Sequence, residues 1–499
     1  MAWFCSELTV MKKLIYFRSS ILILTFLSAA VIYGSISFVN HNLFRTSALD
    51  LGVYNNAIYK YGHFKMATSA VYEEEARNLF SDHFDLLVPI LSPLQYVLGN
   101  YTLLIVQILA LLLGAYGLYL YIKPKGEWAA VASVVYFLSF YGVFGAVSYD
   151  YHSNVIAAAI LPWFFVFVRD KKLVPALAIF SLILVSKENM ALWMVFICAG
   201  MAIEFWKESK VRNLLILGSV FSAFYFILVL SVIIPAIAPT KEYFHFDFSV
   251  LGASPKEALV YIISHPFETL KSLFENHMGD PNGDGIKAET YWALCFASLP
   301  VLIRKPQFIL MLIPILFQKM LNDNAYKWSI DVHYNIEFAP ILAIGIFSVL
   351  GLVKRQAIRW SLLLIVCGLN IWSTSRILKS TYVYREDLKI QFQNEEHYRT
   401  HFDHEKVQEA LKLIPEEASV SAHYPFVPHL AFRDEIYEFP ILHEAKYIVF
   451  SKLFYPYPLS KDHFDSYTEE LKISKDWDVV LDEEEITILK RAFKGEEQL

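Results

Sequence analysis

The sequence predicts a polytopic α-helical membrane protein of about eleven transmembrane helices with a small extracytoplasmic α/β domain at its C-terminal end. Three observations predict it. Of the 499 residues 56% are apolar and 18% charged, where an average soluble domain carries about 25% charge. The apolar residues come in long runs whose intervening loops carry Lys and Arg at every second turn. From residue 380 onward the composition becomes polar, with short alternating segments.

Crossing the hydrocarbon takes about 20 apolar residues, somewhat fewer in a bundle. The segments that meet this are 19–39, 100–122, 128–147, 154–168, 172–186, 190–206, 212–234, 290–303, 307–320, 336–353 and 358–378. The first, with its LSAAVIYGS end, exceeds a signal-peptide core of roughly 7–15 residues and reads as an uncleaved anchor. Lys12, Lys13 and Arg18 precede it. Lys123 and Lys125, then Arg169, Lys171 and Lys172, then Lys207, Lys210 and Arg212, then Arg304 and Lys305, then Lys354, Arg355 and Arg359 fill alternate loops. Short loops rich in these cations stay cytoplasmic, which sets the N-terminus inside and the C-terminal domain outside a plasma or inner membrane.

Residues 1–379 form the transmembrane domain, with large outer loops at 40–99 and 235–289, and 380–499 form the extracytoplasmic domain. In the tail HEKVQEALKLIP reads as an amphipathic helix, and ASVSAH, EIYEFP, AKYIVF, DWDVVL and EITILKR read as strands. The stretch LLVPILSPLQYVLG, with two prolines, reads as re-entrant. The net charge of −6 removes the basic footprint that nucleic-acid binding needs. Cys5, Cys198, Cys295 and Cys367 are too scattered for a disulfide framework or a zinc site and read as packing residues.

Ionisable residues beside the bilayer are costly, so they face water, a partner or a substrate. Asp50 follows the first span in ALDLGVYNNAIYKYG, where Leu51, Tyr54, Ile58 and Tyr61 repeat at helical spacing as in an interfacial helix. Asp50 reads either as the cap of that helix or as a functional acid. NLFSDHFD supplies Asp82, His83 and Asp85, a loop or a divalent-ion pair. SYDYHSN supplies Asp150 and His152, and SKENM supplies Lys187, Glu188 and Asn189. Lys187 is an outer cation suited to an anion, with local pairing to Glu188 as its alternative. KWSIDVHYN adds Asp331, His333 and Tyr334. All fall on one side under the topology set by Lys and Arg. DPNGDGIKAETY begins like a calcium loop at Asp280 but carries Tyr291 where a bidentate Glu belongs, so a Gly-rich turn is the default.

The ordered series LDLGVYNNAIY, SDHFDLLVPILSPLQYVLG, SYDYHSNVIAAAILP, VSKENMALWM, VHYNIEFAPIL and IPEEASVSAHYPFVPHLAFRDEIYEFP, from about residue 45 to 450, resembles the predicted-membrane-protein family labelled domain of unknown function 2079. Tyr54 and Asn56 stand where members often have Phe and Gln, and Asn189 where Asp is common. That family in turn resembles a distant branch of the C-type glycosyltransferase fold, polytopic enzymes that use polyprenyl-phosphate-linked sugars outside the membrane. The resemblance implies a catalytic acid in the first outer loop, where Asp50 stands. It implies a membrane-embedded cell-envelope glycosyltransferase acting on a lipid, glycan or protein acceptor. Asp82, His83, Asp150, His152, Lys187, Glu188, His333 and Tyr334, marked by their cost beside the bilayer, are the substrate-binding candidates. No cofactor is required, and a divalent metal is compatible. The alternatives are a transporter or lipid flippase, and a scaffold or sensor using His429, Arg433, Asp434 and Glu435 as an interaction surface.

Overall fold

The computed structural model describes residues 2–69, 71, 77–239, 243, 245–380 and 389–492, with side chains from Tyr16 onward. Lys12, Lys13 and Cys5 lie outside the described side chains. In chain order the main helices are α1 (Ala2–Asn42), α2 (Val53–Gly62), α3 (Thr102–Ile122), α4 (Glu127–Leu138), α5 (Tyr141–Ser148), α6 (Ser153–Arg169), α7 (Leu173–Leu184), α8 (Glu188–Glu204), α9 (Ser209–Leu228), α10 (Pro255–Ser264), α11 (Pro266–Ser272), α12 (Ile286–Phe296), α13 (Pro306–Met320), α14 (Phe338–Leu350), α15 (Gln356–Ile377), α16 (His404–Leu411) and α17 (Lys461–Ile473).

Helix is present at each apolar segment that the sequence marks. Among the described residues four helical stretches are long and apolar enough to cross a membrane: Tyr16–Asn42, Leu87–Lys125, Ser209–Ile237 and Gln356–Ile377. The number rises to six if the bent pairs α4–α5 (42°) and Ala325–Asn335 with α14 (66°) are each one span. Others are shorter: α7 has 12 residues, about 18 Å of helix against a core about 30 Å thick. The two-proline stretch forms short helical turns that run into α3 within Leu87–Lys125.

The chain folds as two compact units. One comprises Met1–Ile36, Val106–Ile233 and Tyr243–Gln391, the other Ser37–Ile105, Ile234–Glu242 and Phe392–Leu499. In the first unit the loop cations gather at one end. Arg169 donates to the Leu120 and Tyr121 carbonyls at 2.8 Å, Lys171 pairs with Glu208 at 2.9 Å, and Lys305 pairs with Glu204 at 2.5 Å. Lys125 donates to Ser348 Oγ, and Arg359 lies beside Gly126. Helices α4–α5, α6, α8, α13 and α14 therefore each run between this cationic end and the end that carries Asp150, Lys187, Lys319 and His333. Cys198, Cys295 and Cys367 are free thiols.

The second unit holds a five-stranded sheet. Its strands are β3 (Val420–Ala422), β4 (Ile436–Glu438), β5 (Tyr447–Phe450), β6 (Trp477–Asp482) and β7 (Thr487–Arg491), in the order β4-β3-β5-β7-β6. The two-residue strands β1 (Thr68–Ser69) and β2 (Arg77–Asn78) form a separate hairpin. Strand β3 runs parallel to β4 and β5, while β7 is antiparallel to β5 and β6. Val420, Ile436, Tyr437, Tyr447, Ile448, Val449, Trp477, Val479, Val480 and Ile488, β-branched or aromatic, favour strands here, and β3, β4 and β5 are buried along their whole length. Phe464 and Leu471 of α17 pack with Phe439, Ile448, Phe450, Trp477 and Leu489 to close the core. Asp403 caps α16 by accepting from the Glu405 and Lys406 amides.

Glu438 ends β4 and is buried, which pushes its carboxyl up to about 8. The folded state keeps a proton that the unfolded chain loses near pH 4.3, so stability falls as pH rises from about 4 to about 8. Thermal unfolding of the solubilised protein checks this: Glu438→Gln raises Tm at pH 8 and leaves it unchanged at pH 4.

Candidate functional site

In the second unit the chain leaves α1 through a single π-turn, Ala48–Gly52, whose N-cap is Ser47, with the Leu49 amide donating to Ser47 Oγ at 3.3 Å. Asp50 sits half-buried inside that turn. The N-cap position of α2 itself is Gly52, which makes no side-chain cap bond. Helix α2 is not an interfacial helix, because Val53, Tyr54, Asn55, Asn56, Ala57 and Ile58 are all buried.

What covers α2 is the tail block VPHLAFRDEIYEF. Asn55 Nδ2 donates to the Asn100 and Pro428 carbonyls at 3.1 and 3.2 Å. Asn56 Nδ2 donates to the Ala431 and Arg433 carbonyls at 3.0 and 2.9 Å. A β-carbon on Gly52 would lie 2.8 Å from Val427 Cγ1, so glycine permits the approach. Arg45 adds bonds to the His397 and Arg399 carbonyls. Leaving two buried carbonyls without donors costs about 1–3 kcal/mol. Asn56→Ala should therefore lower Tm by several degrees and speed proteolysis of the tail.

This packing also uses up most of the expected interaction surface. His429 is buried, stacked on His41 with ring centroids 4.2 Å apart, and burial together with His41 holds it well below the usual histidine range. Arg433 donates to the Leu430 and Ala418 carbonyls at 2.6 and 2.8 Å. Asp434 is paired with Lys65 at 2.6 Å.

Asp82 and His83 lie on the one-turn helix Leu79–Asp82 and its C-cap, beyond an Asn78 N-cap. The Asp82 and His83 side chains come within 3.9 Å, and Arg77 stands 4.0 Å from the Asp82 carboxylate. Together they offer a carboxylate and an imidazole to a divalent ion that would complete its shell with water or phosphate oxygens. Asp85 is fully buried, and its carboxylate accepts the Leu87 amide at 2.9 Å.

In the first unit a second cluster forms at the end opposite the loop cations. His152 and His333 stack with centroids 3.5 Å apart and planes at 15°. Tyr149 lies 5.0 Å and Tyr334 4.0 Å from the His333 ring. Asp150, His152, Asp331 and His333 are all buried. Asp150 takes a left-handed φ of 59°, a conformation that Asp tolerates better than most residues. Gln107, on α3, fixes this turn by donating to the Asp150 carbonyl at 2.7 Å and accepting the His152 amide at 3.1 Å. The segment carrying His333 reaches His152 because Gly142 leaves room: a β-carbon there would stand 2.4 Å from the Asn335 carbonyl oxygen. Gly142→Val should cost about 1–3 kcal/mol of stability by overpacking, read as a lower Tm.

Buried Lys187 occupies the N-cap position of α8. Glu188 accepts the Tyr243 hydroxyl at 3.0 Å, and Asn189 donates to Gln318 Oε1 at 3.1 Å. Asn154 donates to Glu337 at 2.8 Å. Lys319 ties down the loop before His333 through the Lys327 carbonyl at 2.6 Å. Asp150, His152, Lys187, Glu188, His333 and Tyr334 thus share one end of the first unit, while Asp50, Asp82 and His83 belong to the second. Gln107, Asn154 and Glu337 escaped the sequence reading because each sits within an apolar or helical run. The Asp280 loop is a structural turn: Asp280 accepts the Asn282 amide, and Asn276 bridges the Asp280 carbonyl and the Asp284 carboxylate.

No curated protein matches the chain. Among solved structures it is similar to three of the Archaeoglobus fulgidus oligosaccharyltransferase. The one tethered with an acceptor peptide containing the NVT sequon has 14% identity, a TM-score of 0.48 and coverage of 88% of this chain and 69% of that one. The apo form has 14% identity, a TM-score of 0.44 and coverage of 88% and 70%. The complex with Zn and sulfate has 14% identity, a TM-score of 0.40 and coverage of 86% and 68%. Residues 40–488 match the family described as predicted membrane protein (DUF2079), to which this chain belongs.

Proposed function

We propose that the protein is a glycosyltransferase that moves a sugar from a polyprenyl-phosphate donor to a lipid, glycan or protein acceptor at the outer face of the membrane, with inversion at the sugar carbon. The observation that carries this reading is the buried Asp, His and Lys set at one end of the first unit, opposite the end where the loop cations gather. An apolar chain that concentrates mixed charge at one end is built for polar chemistry there. In the reaction Asp50 takes the acceptor hydroxyl proton, the hydroxyl oxygen bonds to the sugar carbon, and the bond from that carbon to the lipid phosphate breaks. Lys187, His152 and His333, gathered in the first unit, are the groups suited to an anion such as the lipid phosphate. Asp82 and His83 hold the acceptor or a divalent ion, and Asp150, Glu188 and Tyr334 bind sugar hydroxyls.

The reading includes eleven spans, a cytoplasmic N-terminus and an outer tail. A membrane-impermeant thiol reagent should then label Glu470→Cys in intact cells and Lys171→Cys only after permeabilisation; the reverse would contradict the orientation. For the activity, liposomes containing the protein and a lipid extract of its source cells should lose a polyprenyl-linked sugar, as read by mass spectrometry. Donor pools unchanged relative to protein-free liposomes would count against the reading.

A further inference from the structure

The outer loop that follows α9 carries an apolar face left exposed among the described residues. Helices α10 and α11 are anchored on their inner side by Ala258 and Leu273, which pack against Leu251, Ile286, Met320 and Trp328. Their opposite side is also apolar. Leu259, Val260 and Ile263 on α10 and Phe267 and Leu270 on α11, followed by Phe274, point outward, with Ile263 72% and Phe267 82% exposed. Side chains of this size on two adjoining helices form a patch that a water-facing loop rarely tolerates.

A line of aromatic rings carries this face onto the lipid-facing wall. Phe274 stacks on Tyr291 at 4.9 Å; the neighbouring Trp292 is 6.1 Å from Phe296, and Phe296 is 5.0 Å from Trp372 on α15. Helix α15 is among those long and apolar enough to span, and its Leu364 and Trp372 are exposed as lipid-facing residues are. Helices of 10 and 7 residues are about 15 and 10 Å long and cannot cross. They suit the plane of the interface, where Trp belts lie and long cations such as Lys256 and Lys271 reach the headgroups.

We propose that residues 255–274 form a monotopic hairpin embedded in the headgroup–acyl boundary of one leaflet, with a lipid surface as its occupant. This stands independently of the glycosyl-transfer reading. The test places nitroxide labels one at a time at Ile263→Cys, Phe267→Cys and Leu270→Cys, with Asp462→Cys on α17 as the aqueous control. The full chain is held in lipid nanodiscs on a background in which Cys5, Cys295 and Cys367 are Ser; Cys198 is enclosed. The expected result is collision with oxygen exceeding collision with a water-soluble nickel complex at the three hairpin sites, and the opposite at 462. Hairpin sites that behave like 462, or that neither reagent reaches because protein covers them, would overturn the proposal.

Discussion

Asp50→Asn is expected to reduce sugar transfer by about 10²- to 10⁴-fold, the range that a positioned general base contributes. The substitution keeps the shape of the side chain while removing its negative charge and its ability to take a proton. The Leu49 amide at the start of the π-turn that holds Asp50 donates to Ser47 Oγ, so that amide has its partner without the Asp50 carboxylate. The variant should therefore keep its Tm while losing turnover, with donor binding little changed. A variant that transfers sugar at the wild-type rate would remove Asp50 from the mechanism. A loss of Tm matching the loss of activity would make its role structural.

Lys187→Ala should cost about 10²- to 10³-fold in rate, the scale of one preorganised group stabilising charge that develops in the transition state. Lys187 is buried at the start of α8. A cation there faces little competition from water and acts strongly on an anion. The fall should appear mainly in kcat, because the phosphate gains charge as the sugar leaves. Lys187→Arg keeps the charge with a different geometry and should recover part of the rate. If Lys187→Ala instead raised KM alone, Lys187 would be a ground-state binding group and its assignment to the leaving phosphate would fail.

The parts of the fold legible in the sequence are those written in local periodicity and in the placement of charge. All five tail strands follow alternating segments, and α16 follows its amphipathic pattern. The alternate-loop cations are found together at one end of the first unit through Arg169, Lys171, Lys125 and Lys305. Contacts made across the chain were not legible. Leu51, Tyr54, Ile58 and Tyr61 have the spacing of a half-wet helix, yet Asn55 and Asn56 are buried because the tail supplies carbonyls some 370 residues away. The charged tail block looks like a surface, but Arg433 spends its donors on backbone oxygens. In the candidate site, His152 and His333 could be suspected singly from their cost beside the bilayer. Their stacking could not, since it depends on Gly142 admitting a segment nearly two hundred residues later, and on Gln107 pinning the Asp150 turn.

On the proposed function the protein moves a sugar from a polyprenyl-phosphate carrier at the outer face. The most direct measurement is a mass-spectrometric comparison of lipid-linked sugars and surface glycans in source cells lacking the protein, complemented with wild type or with Asp50→Asn. The predicted result is that one polyprenyl-linked sugar accumulates and one surface glycan loses that sugar in the null and Asp50→Asn cells, while wild type restores both. Identical carrier pools and glycans in null and wild-type cells would contradict it.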